Sequence, residues 1–190
     1  LPAEKRLEFL KGISAQLEKM QWMITTLLKI SKFDAGTAVL HKEPVELAAV
    51  VEQALAPFII QAELRQMTLA VDCRQGQFLG DRLWTVEAVQ NIVKNCLEHM
   101  GNGGTLRLTG TQTALYCQLV ITDDGCGIEK EDLPHIFERF YKGKNAGADS
   151  VGIGLALSKS VLNRENATVE VQSTVGVGTT FTIRFYRNII

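Results

Sequence analysis

The chain has 190 residues, 46% of them apolar, and its 20 basic residues are balanced by 21 acidic ones. This length and apolar content suffice for one domain with a buried core plus an appendage. The charge balance lacks the basic excess typical of nucleic-acid binding, so no nucleic-acid partner is expected. The longest apolar runs are too short to span a bilayer, and we expect no signal peptide. The cysteines lack metal-ligand spacing and are expected to be reduced in a cytosolic compartment: Cys73, Cys96, Cys117 and Cys126.

The first 36 residues predict one long helix. Between Glu4 and Asp34 there is no proline, and only Gly12 interrupts residues that favour helices. Apolar residues at alternating spacings of three and four form a heptad seam, namely Leu10, Ile13, Leu17, Met20, Ile24 and Leu27. A second apolar set indicates a bundle of more than two helices, with a core helix folded back on its own domain as the alternative: Leu7, Trp22, Met23, Leu28, Ile30 and Phe33. Gly36 is expected to end the helix.

The rest of the chain mixes predicted helices and strands. The first predictions are an extended linker over residues 37–47, a helix over Glu46–Met67 with a kink at Pro57, a strand over Thr68–Cys73 and a turn over Gly76–Gly80. A helix capped by Asp81 and running to His99 is predicted next, followed by strands over Thr105–Thr111 and Leu115–Thr122. The last predictions are a helix over Pro134–Tyr141, a loop over Lys142–Ser150, a helix over Leu155–Arg164 and a hairpin of Thr168–Ser173 with Thr179–Arg187. The combination of helices with antiparallel strands predicts an α+β fold, a two-layer sandwich.

An acidic turn follows the strand that ends near Thr122. The apolar strand would carry Asp123 to the rim of a pocket, where its carboxylate can accept a hydrogen bond from an exocyclic amine such as that of adenine. The same charge would repel a phosphate. Gly125 and Gly127 suit a positive φ or a backbone pressed against a flat ligand. By spacing alone, an ordinary Asp-Gly turn is the commoner explanation.

Two asparagines lie four residues apart on the helix before this turn. Asn91 and Asn95 therefore share a face, and their amide oxygens can coordinate Mg²⁺ without repelling a triphosphate. By spacing alone, two solvated asparagines are favoured. Asn91 cannot take a proton, so this face lacks a base to activate water, which argues against ATP hydrolysis.

A glycine-bearing segment, residues 150–155, precedes the next predicted helix. Backbone N–H groups at a helix start attract anions, although this segment is neither a P-loop nor a complete dinucleotide fingerprint. Cations lie nearby in Lys142, Lys144 and Arg139, with a solvated basic loop as the alternative for Lys144. The glycines Gly143 and Gly147 would allow this loop to close over a ligand.

Together these segments resemble the motifs of sensor histidine kinases, which belong to the GHKL ATPase superfamily. The resemblance rests on five motifs in order: Asn91–Asn95, Asp123–Ile128, Ile136–Tyr141, Gly152–Leu155 and Gly176–Phe181. It covers nearly the whole chain. Residues 1–36 resemble the second helix of an incomplete dimerisation hairpin, and residues 37–190 resemble the ATP-binding catalytic domain.

The resemblance implies ATP and Mg²⁺ as cofactors and a role for each matching residue. Asp123 would bind the adenine amine, helped through water by Thr179, and Asn95 would hold Mg²⁺, with Asn91 supporting the phosphates. The remaining implied contacts are Gly125, Gly127 and Ile128 along the base, His99 stacking on it, and Lys142, Gly152, Ile153, Gly154 and Leu155 at the lid and the phosphate-facing helix start. Phe137 and Phe140 would anchor the lid in the core.

Four positions depart from the family pattern. Glu98 stands where the family usually has a lysine, and its charge would repel phosphate if it pointed inward. His99 replaces a common aromatic residue, and Ala156 replaces a glycine. Asn166 replaces the first glycine of a pair, and asparagine is a good substitute in a left-handed turn.

The phospho-accepting histidine of the family is expected upstream of this chain, because His41, His99 and His135 all lack its sequence context. We therefore expect no catalytic residue within the chain and no phosphorylation of the chain by itself. The implied partners are a second copy, through the N-terminal helix, and the receiver domain of a response regulator. The implied location is the cytoplasm, with a membrane reached only through upstream segments. The alternatives are a nucleotide-binding dimerisation module without catalysis and a GHKL-type ATP hydrolase.

Overall fold

A computed structural model describes residues 3–143 and 151–187. The chain divides into two compact units, Leu1–Ala38 and Val39–Ile190. Each unit is described by itself below.

The first unit is a single long helix, α1 (Ala3–Asp34). Gly36 follows it with a φ of +68°, and its N–H donates to the carbonyl of Phe33, so the predicted glycine stop is confirmed. Side chains of the heptad seam are exposed along α1, with Leu10 at 61% and Leu17 at 60%. Within this unit the helix thus carries an apolar surface that remains open to solvent.

The second unit combines helices with two sheets. Its elements are β1 (Glu43–Glu46), α2 (Leu47–Leu55), a 3₁₀ turn (Ala56–Phe58), α3 (Ile59–Leu64), β2 (Thr68–Asp72), β3 (Gln77–Gly80), α4 (Arg82–His99), β4 (Thr105–Gln112), β5 (Tyr116–Asp123), α5 (Gly154–Arg164), β6 (Ala167–Thr174) and β7 (Gly178–Tyr186). The larger sheet has the order β2-β4-β5-β7-β6, in which β2 pairs parallel to β4 and every other pair is antiparallel.

One face of this sheet forms the core. Alternate residues of β5 are buried, and Leu119 and Ile121 lie opposite Ile183 and Phe181 of β7. Helices α2, α4 and α5 contact the strands, and all three bury apolar side chains. The predicted α+β two-layer sandwich is therefore confirmed.

Two predictions between residues 37 and 80 are wrong because each missed a short strand. The end of the expected linker is strand β1, and the expected turn at 76–80 is strand β3. The two strands pair antiparallel, with Val45 opposite Phe78. Each is only four residues long, so neither offers enough alternation to predict a strand without its partner.

Two predicted helices also differ from the structure. The helix over 46–67 is interrupted at Pro57 by the 3₁₀ turn, as expected of a residue that cannot donate a helical hydrogen bond. The helix over Pro134–Tyr141 is wrong. Residues 130–140 form successive turns, with i to i+3 bonds such as His135 N–H to the Asp132 carbonyl at 2.9 Å and Glu138 N–H to the His135 carbonyl at 2.8 Å.

Residues 47–64 are long and apolar enough, by length and composition alone, to cross a membrane. The core helix of a globular domain satisfies the same criterion. Here Leu47, Val50 and Ala54 of α2 are completely buried in the second unit, and the 3₁₀ turn interrupts the stretch. A core role accounts for the buried apolar side chains of α2.

Candidate functional site

Asp123 is the last residue of β5 and continues the buried face of that strand. The alternation that buries Leu119 and Ile121 also turns Asp123 inward, where it is 5% exposed. Its Oδ1 accepts hydrogen bonds from the N–H of Gly125 at 2.9 Å and of Thr179 at 3.2 Å. Neither of these backbone bonds uses Oδ2. A buried carboxylate is thus held in one orientation by the backbone around it.

The charge of Asp123 is set by opposing effects. Burial raises the pKa of its carboxyl above the ordinary 3.8, whereas hydrogen bonds from Gly125, Cys96 and Thr179 and the nearby His99 lower it. Cys96 is itself fully buried, and burial raises the pKa of its thiol well above 9.0, so the S–H remains a donor toward Asp123. This thiol contact is not predictable from the sequence, because Cys96 has the pattern of an apolar residue of α4.

The turn after Asp123 has no room for side chains at its two glycines. A Cβ at Gly125 would lie 2.6 Å from the carbonyl oxygen of His99. Gly127 has a φ of +72°, and a Cβ there would collide with the carbonyl of Thr174. The predicted positive φ is therefore found at Gly127, and both glycines allow a close approach of other backbone segments of the chain.

The β6–β7 hairpin is bonded to the same turn. Ser173 Oγ accepts from Ile128 N–H at 2.8 Å and lies 3.0 Å from Thr179 Oγ1. The N–H of Gly176 donates to the carbonyl of Cys126 at 2.8 Å. Sequence reasoning missed Ser173, since a single serine at the end of a strand carries no distinctive signal.

The asparagine face of α4 approaches the same turn. Asn91, Asn95 and His99 are half-buried along one side of the helix, and the His99 carbonyl accepts from the N–H of Cys126 at 3.1 Å. The spacing thus brings His99 to the Asp123 turn, whereas Asn95 and then Asn91 lie farther from this turn, toward the N-terminal end of α4.

Glu98 lies on the adjacent, exposed side of α4. Its Oε1 is 3.8 Å from Lys94 Nζ, and both side chains are well exposed. The position of the missing family lysine is therefore occupied by a solvent-screened ion pair, which weakens the repulsion expected of an unpaired carboxylate.

The start of α5 packs against the asparagine face. A Cβ at Gly154 would lie 3.1 Å from Asn91 Oδ1. One turn later, Ser158 Oγ donates to the carbonyl of Ala88 at 2.9 Å. Of the other residues predicted here, Gly152 has a φ of +75°, Ile153 is fully buried and Leu155 is half-buried. The helix start and Asn91 thus lie side by side.

The predicted lid is only partly described. Lys142 is exposed, whereas Lys144, Gly147 and Ser150 lie outside the described residues. Phe137 is half-buried and makes an edge-to-face contact with the buried Phe181 of β7, with 6.5 Å between ring centroids, which supports its predicted packing against the core. The same prediction for Phe140 is wrong, because its ring is 57% exposed and its φ is +63°.

The family of histidine kinase-, DNA gyrase B- and HSP90-like ATPases matches residues 80–189, a range that contains both the Asp123 turn and the asparagine face. The chain belongs to this ATPase family.

Relatives of this ATPase chain are named sensor kinases. The sensor-like histidine kinase SenX3 of Mycolicibacterium smegmatis is 27% identical over 179 residues, which cover 92% of this chain and 47% of that protein. The histidine-protein kinase/phosphatase MprB of Mycolicibacterium vanbaalenii is 30% identical over 181 residues, covering 94% of this chain and 37% of that protein. The chain spans less than half the length of these curated relatives.

The fold has a close structural counterpart. The histidine kinase AdeS of Acinetobacter baumannii superposes with a TM-score of 0.80 at 22% identity, covering 94% of this chain and 84% of the other. This likeness shows that the two chains share a fold. The family match and the names of the relatives show a GHKL ATPase domain of the kind found in sensor histidine kinases.

The donor chemistry near α4 fits Mg²⁺ better than a softer metal. No cluster of three or more histidine, cysteine or acidic side chains that could hold a metal lies within residues 3–143 and 151–187. Asn91 and Asn95 instead offer neutral amide oxygens, which suit a hard cation whose remaining ligands are water and phosphate oxygens.

Proposed function

We propose that this chain binds the adenine of ATP through Asp123 and presents the phosphates to the amides of α4 and the start of α5. The observation that carries the proposal is the fixed orientation of the buried Asp123 carboxylate. Two backbone N–H groups bond to Oδ1, so Oδ2 is the oxygen with which the carboxylate would accept a hydrogen bond from the adenine amino group. Gly125 and Gly127 would let the base approach the backbone, and Ile128, Thr179 and His99 would border it.

The phosphate end of the proposed site is built from neutral groups. Asn95 would hold Mg²⁺, and Asn91 would support the phosphates beside Gly154. When bound, Mg²⁺ neutralises charge on the phosphate oxygens. Amides suit this end because, unlike carboxylates, they do not repel a triphosphate. Lys142 is proposed to add a positive charge at the rim.

In the whole protein, we propose phosphoryl transfer from ATP to a histidine and onward transfer to an aspartate of a response regulator. Two of the chain's histidines lie next to other groups. His135 Nδ1 lies 2.8 Å from Glu138 Oε1, and the carbonyl of His99 bonds to the Asp123 turn. The kinase names of SenX3 and MprB support the proposal. We propose a cytoplasmic location for this region.

Equilibrium titration with non-hydrolysable analogues tests the nucleotide site. The ATP analogue should bind with Mg²⁺ and bind more weakly without it. The GTP analogue should bind at least about 10-fold more weakly, because the guanine O6 would face the Asp123 carboxylate, acceptor against acceptor. Equal affinity for the two bases would contradict the role of Asp123.

We further propose that α1 forms the interface of a homodimer. Ile13, Leu17 and Ile24 are 41%, 60% and 56% exposed, and they belong to one heptad seam that a second copy can cover. In analytical ultracentrifugation the chain should self-associate, and Leu17→Asp with Ile24→Asp should shift it toward monomer. Gln16→Asp with Gln21→Asp, an equally charged pair of changes outside the seam, is the control. A monomer at high concentration would contradict the proposal.

A further inference from the structure

Helices α4 and α5 run antiparallel and are joined by three side-chain contacts. Near the phosphate-facing end, Gly154 lies against Asn91, and Ser158 bonds to the carbonyl of Ala88. At the opposite end, Glu165 directly follows α5 and reaches Thr85 in the first turn of α4. Glu165 therefore fixes the far ends of the two helices that carry the proposed phosphate site.

Glu165 is a carboxyl group with almost no access to water. It is 2% exposed, and its Oε1 accepts from the N–H of Asp81 at 2.7 Å. Its Oε2 lies 2.7 Å from Thr85 Oγ1. That hydroxyl oxygen is also 2.8 Å from the carbonyl oxygen of Asp81.

If Glu165 is ionised, the two short contacts of Thr85 Oγ1 need two hydrogens, and only one is available. A threonine hydroxyl carries a single hydrogen, and both of its neighbours would then be acceptors. If Glu165 is a neutral acid, its O–H donates to Thr85 Oγ1, and the Thr85 hydroxyl donates to the Asp81 carbonyl. The carboxylic acid thus satisfies both contacts.

Asp81, the neighbouring acid, is occupied as the N-cap of α4. Its Oδ1 accepts from the N–H of Leu83 at 3.1 Å and of Trp84 at 3.2 Å, and its Oδ2 accepts from the N–H of His41 at 2.9 Å. The charged groups that act on Glu165 are Asp81 and Lys42, and Lys42 Nζ donates to the carbonyl of Arg164 at 3.2 Å. A second negative charge at Glu165 would therefore face the carboxylate that holds His41.

We propose that Glu165 is a positioning residue that acts as a neutral carboxylic acid, fixing the end of α5 and, through Asp81, His41 to the first turn of α4. Its deprotonation, as the pH rises, loosens both attachments. Burial, with a smaller contribution from the charge of Asp81, raises the pKa of Glu165 to about 7. Hydrogen bonds from Thr85 and the Asp81 amide and the charge of Lys42 lower this pKa but do not cancel the effect of burial. The change therefore falls within the physiological range.

A carboxyl titration of the unaltered chain tests the protonation state. In the protein with ¹³C-labelled glutamate, one side-chain carboxyl carbon should titrate near pH 7, well above the ordinary glutamate range of about 4.3. It should be absent from Glu165→Gln. If every glutamate titrates below about pH 5.5, the proposal is overturned, even if the variant fails to fold.

Amide hydrogen exchange tests the attachment. Protection of the His41 amide, corrected for the intrinsic pH dependence of exchange, should fall at least about 10-fold between pH 6 and pH 8.5 in the unaltered chain. Glu165→Gln, a neutral isostere, should keep its protection at both pH values, and Glu52→Gln on the exposed side of α2 should behave like the unaltered chain. Equal pH dependence in Glu165→Gln and the unaltered chain would overturn the proposal.

A third measurement links this attachment to nucleotide, and this part rests on the proposed function. Raising the pH from 6.5 to 8.5 should weaken the binding of a non-hydrolysable ATP analogue several-fold more in the unaltered chain than in Glu165→Gln. An equal effect in both chains overturns the link to the site. Failure of both chains to bind nucleotide at any pH overturns the proposed function instead, and the carboxyl titration is unaffected by that result.

Discussion

Two buried carboxyl groups lie near opposite ends of α4, and they differ in the hydrogens around them. At the His99 end, Asp123 accepts from two backbone N–H groups, which carry their hydrogens permanently. At the Asp81 end, Glu165 has one backbone donor and shares the single hydrogen of Thr85 with a carbonyl. Burial raises the pKa of both groups. The comparison teaches that the supply of hydrogens, and not burial alone, decides whether a buried acid is suited to act as an anion or as a neutral acid.

The largest expected effect is that of Asp123→Asn on nucleotide affinity. The asparagine oxygen would take the two backbone hydrogen bonds, so its NH₂ would replace Oδ2 and meet the adenine amine donor against donor. We expect a loss of about 100-fold, or about 3 kcal/mol, measured by equilibrium titration. Asp124→Asn, which removes the same charge one residue along, should change the affinity little. Unchanged affinity in Asp123→Asn would contradict the proposal that the Asp123 carboxylate binds the adenine amine.

The turn that orients Asp123 should tolerate no side chain at Gly127. Gly127→Ala must adopt a positive φ and displace the carbonyl of Thr174, so we expect a destabilisation of about 2–3 kcal/mol. Gly176→Ala is the matched control, because Gly176 has a φ of +76° but no atom within 4 Å of an added Cβ. It should cost about 1 kcal/mol. Chemical denaturation followed by Trp84 fluorescence, in chains carrying Trp22→Phe, measures both, and equal costs would refute the predicted clash.

The pH dependence of stability should distinguish Glu165 from an ordinary surface glutamate. Its pKa is raised from 4.5 to about 7 in the folded chain, so its contribution is fully present below pH 4.5 and lost as the pH rises through 7. Linkage gives a loss of about 2 kcal/mol between pH 5.5 and 8.5. The difference in unfolding free energy between the unaltered chain and Glu165→Gln should show this loss. A difference that stays constant over this pH range would place Glu165 among ordinary glutamates.

The smallest expected effect is that of Thr85→Val. Valine fills the same volume but leaves the Glu165 acid without an acceptor, so we expect a loss of about 1 kcal/mol at pH 6. Thr122→Val, which removes a half-buried hydroxyl that lies 3.1 Å from Thr180 Oγ1, should cost less by the same denaturation measurement. The reverse order would argue against a special role for the Thr85 hydroxyl.

Several predicted elements were correct because their signals are local. The long apolar periodicity of α1 and the Asp81 cap of α4 each depend on neighbouring residues, and Asp81 does accept from Leu83 and Trp84. Strands β1 and β3 were missed because each is short and is stabilised by a partner about 30 residues away. The turns over 130–140 were mistaken for a helix because Pro134 is equally suited to begin either.

The residues of the candidate site likewise divide into those that the sequence predicts and those that it does not. Asp123, Asn91, Asn95 and the glycines could be named from the sequence because their motifs and spacings are contiguous. Cys96, Ser173 and Glu165 could not, because their contacts join residues that are 27, 45 and 80 positions apart or further. A thiol, a hydroxyl and an acid at such positions have no distinctive local pattern.

The sequence by itself determined the helices and strands with strong periodicity, the α+β class and the residue types available for an amine, a metal and phosphates. Only the tertiary structure decided which of those groups are buried, which donors surround each acid and where a proton is needed. Local patterns depend on the chain's own spacing, whereas charge state and orientation depend on atoms that folding brings together from distant segments.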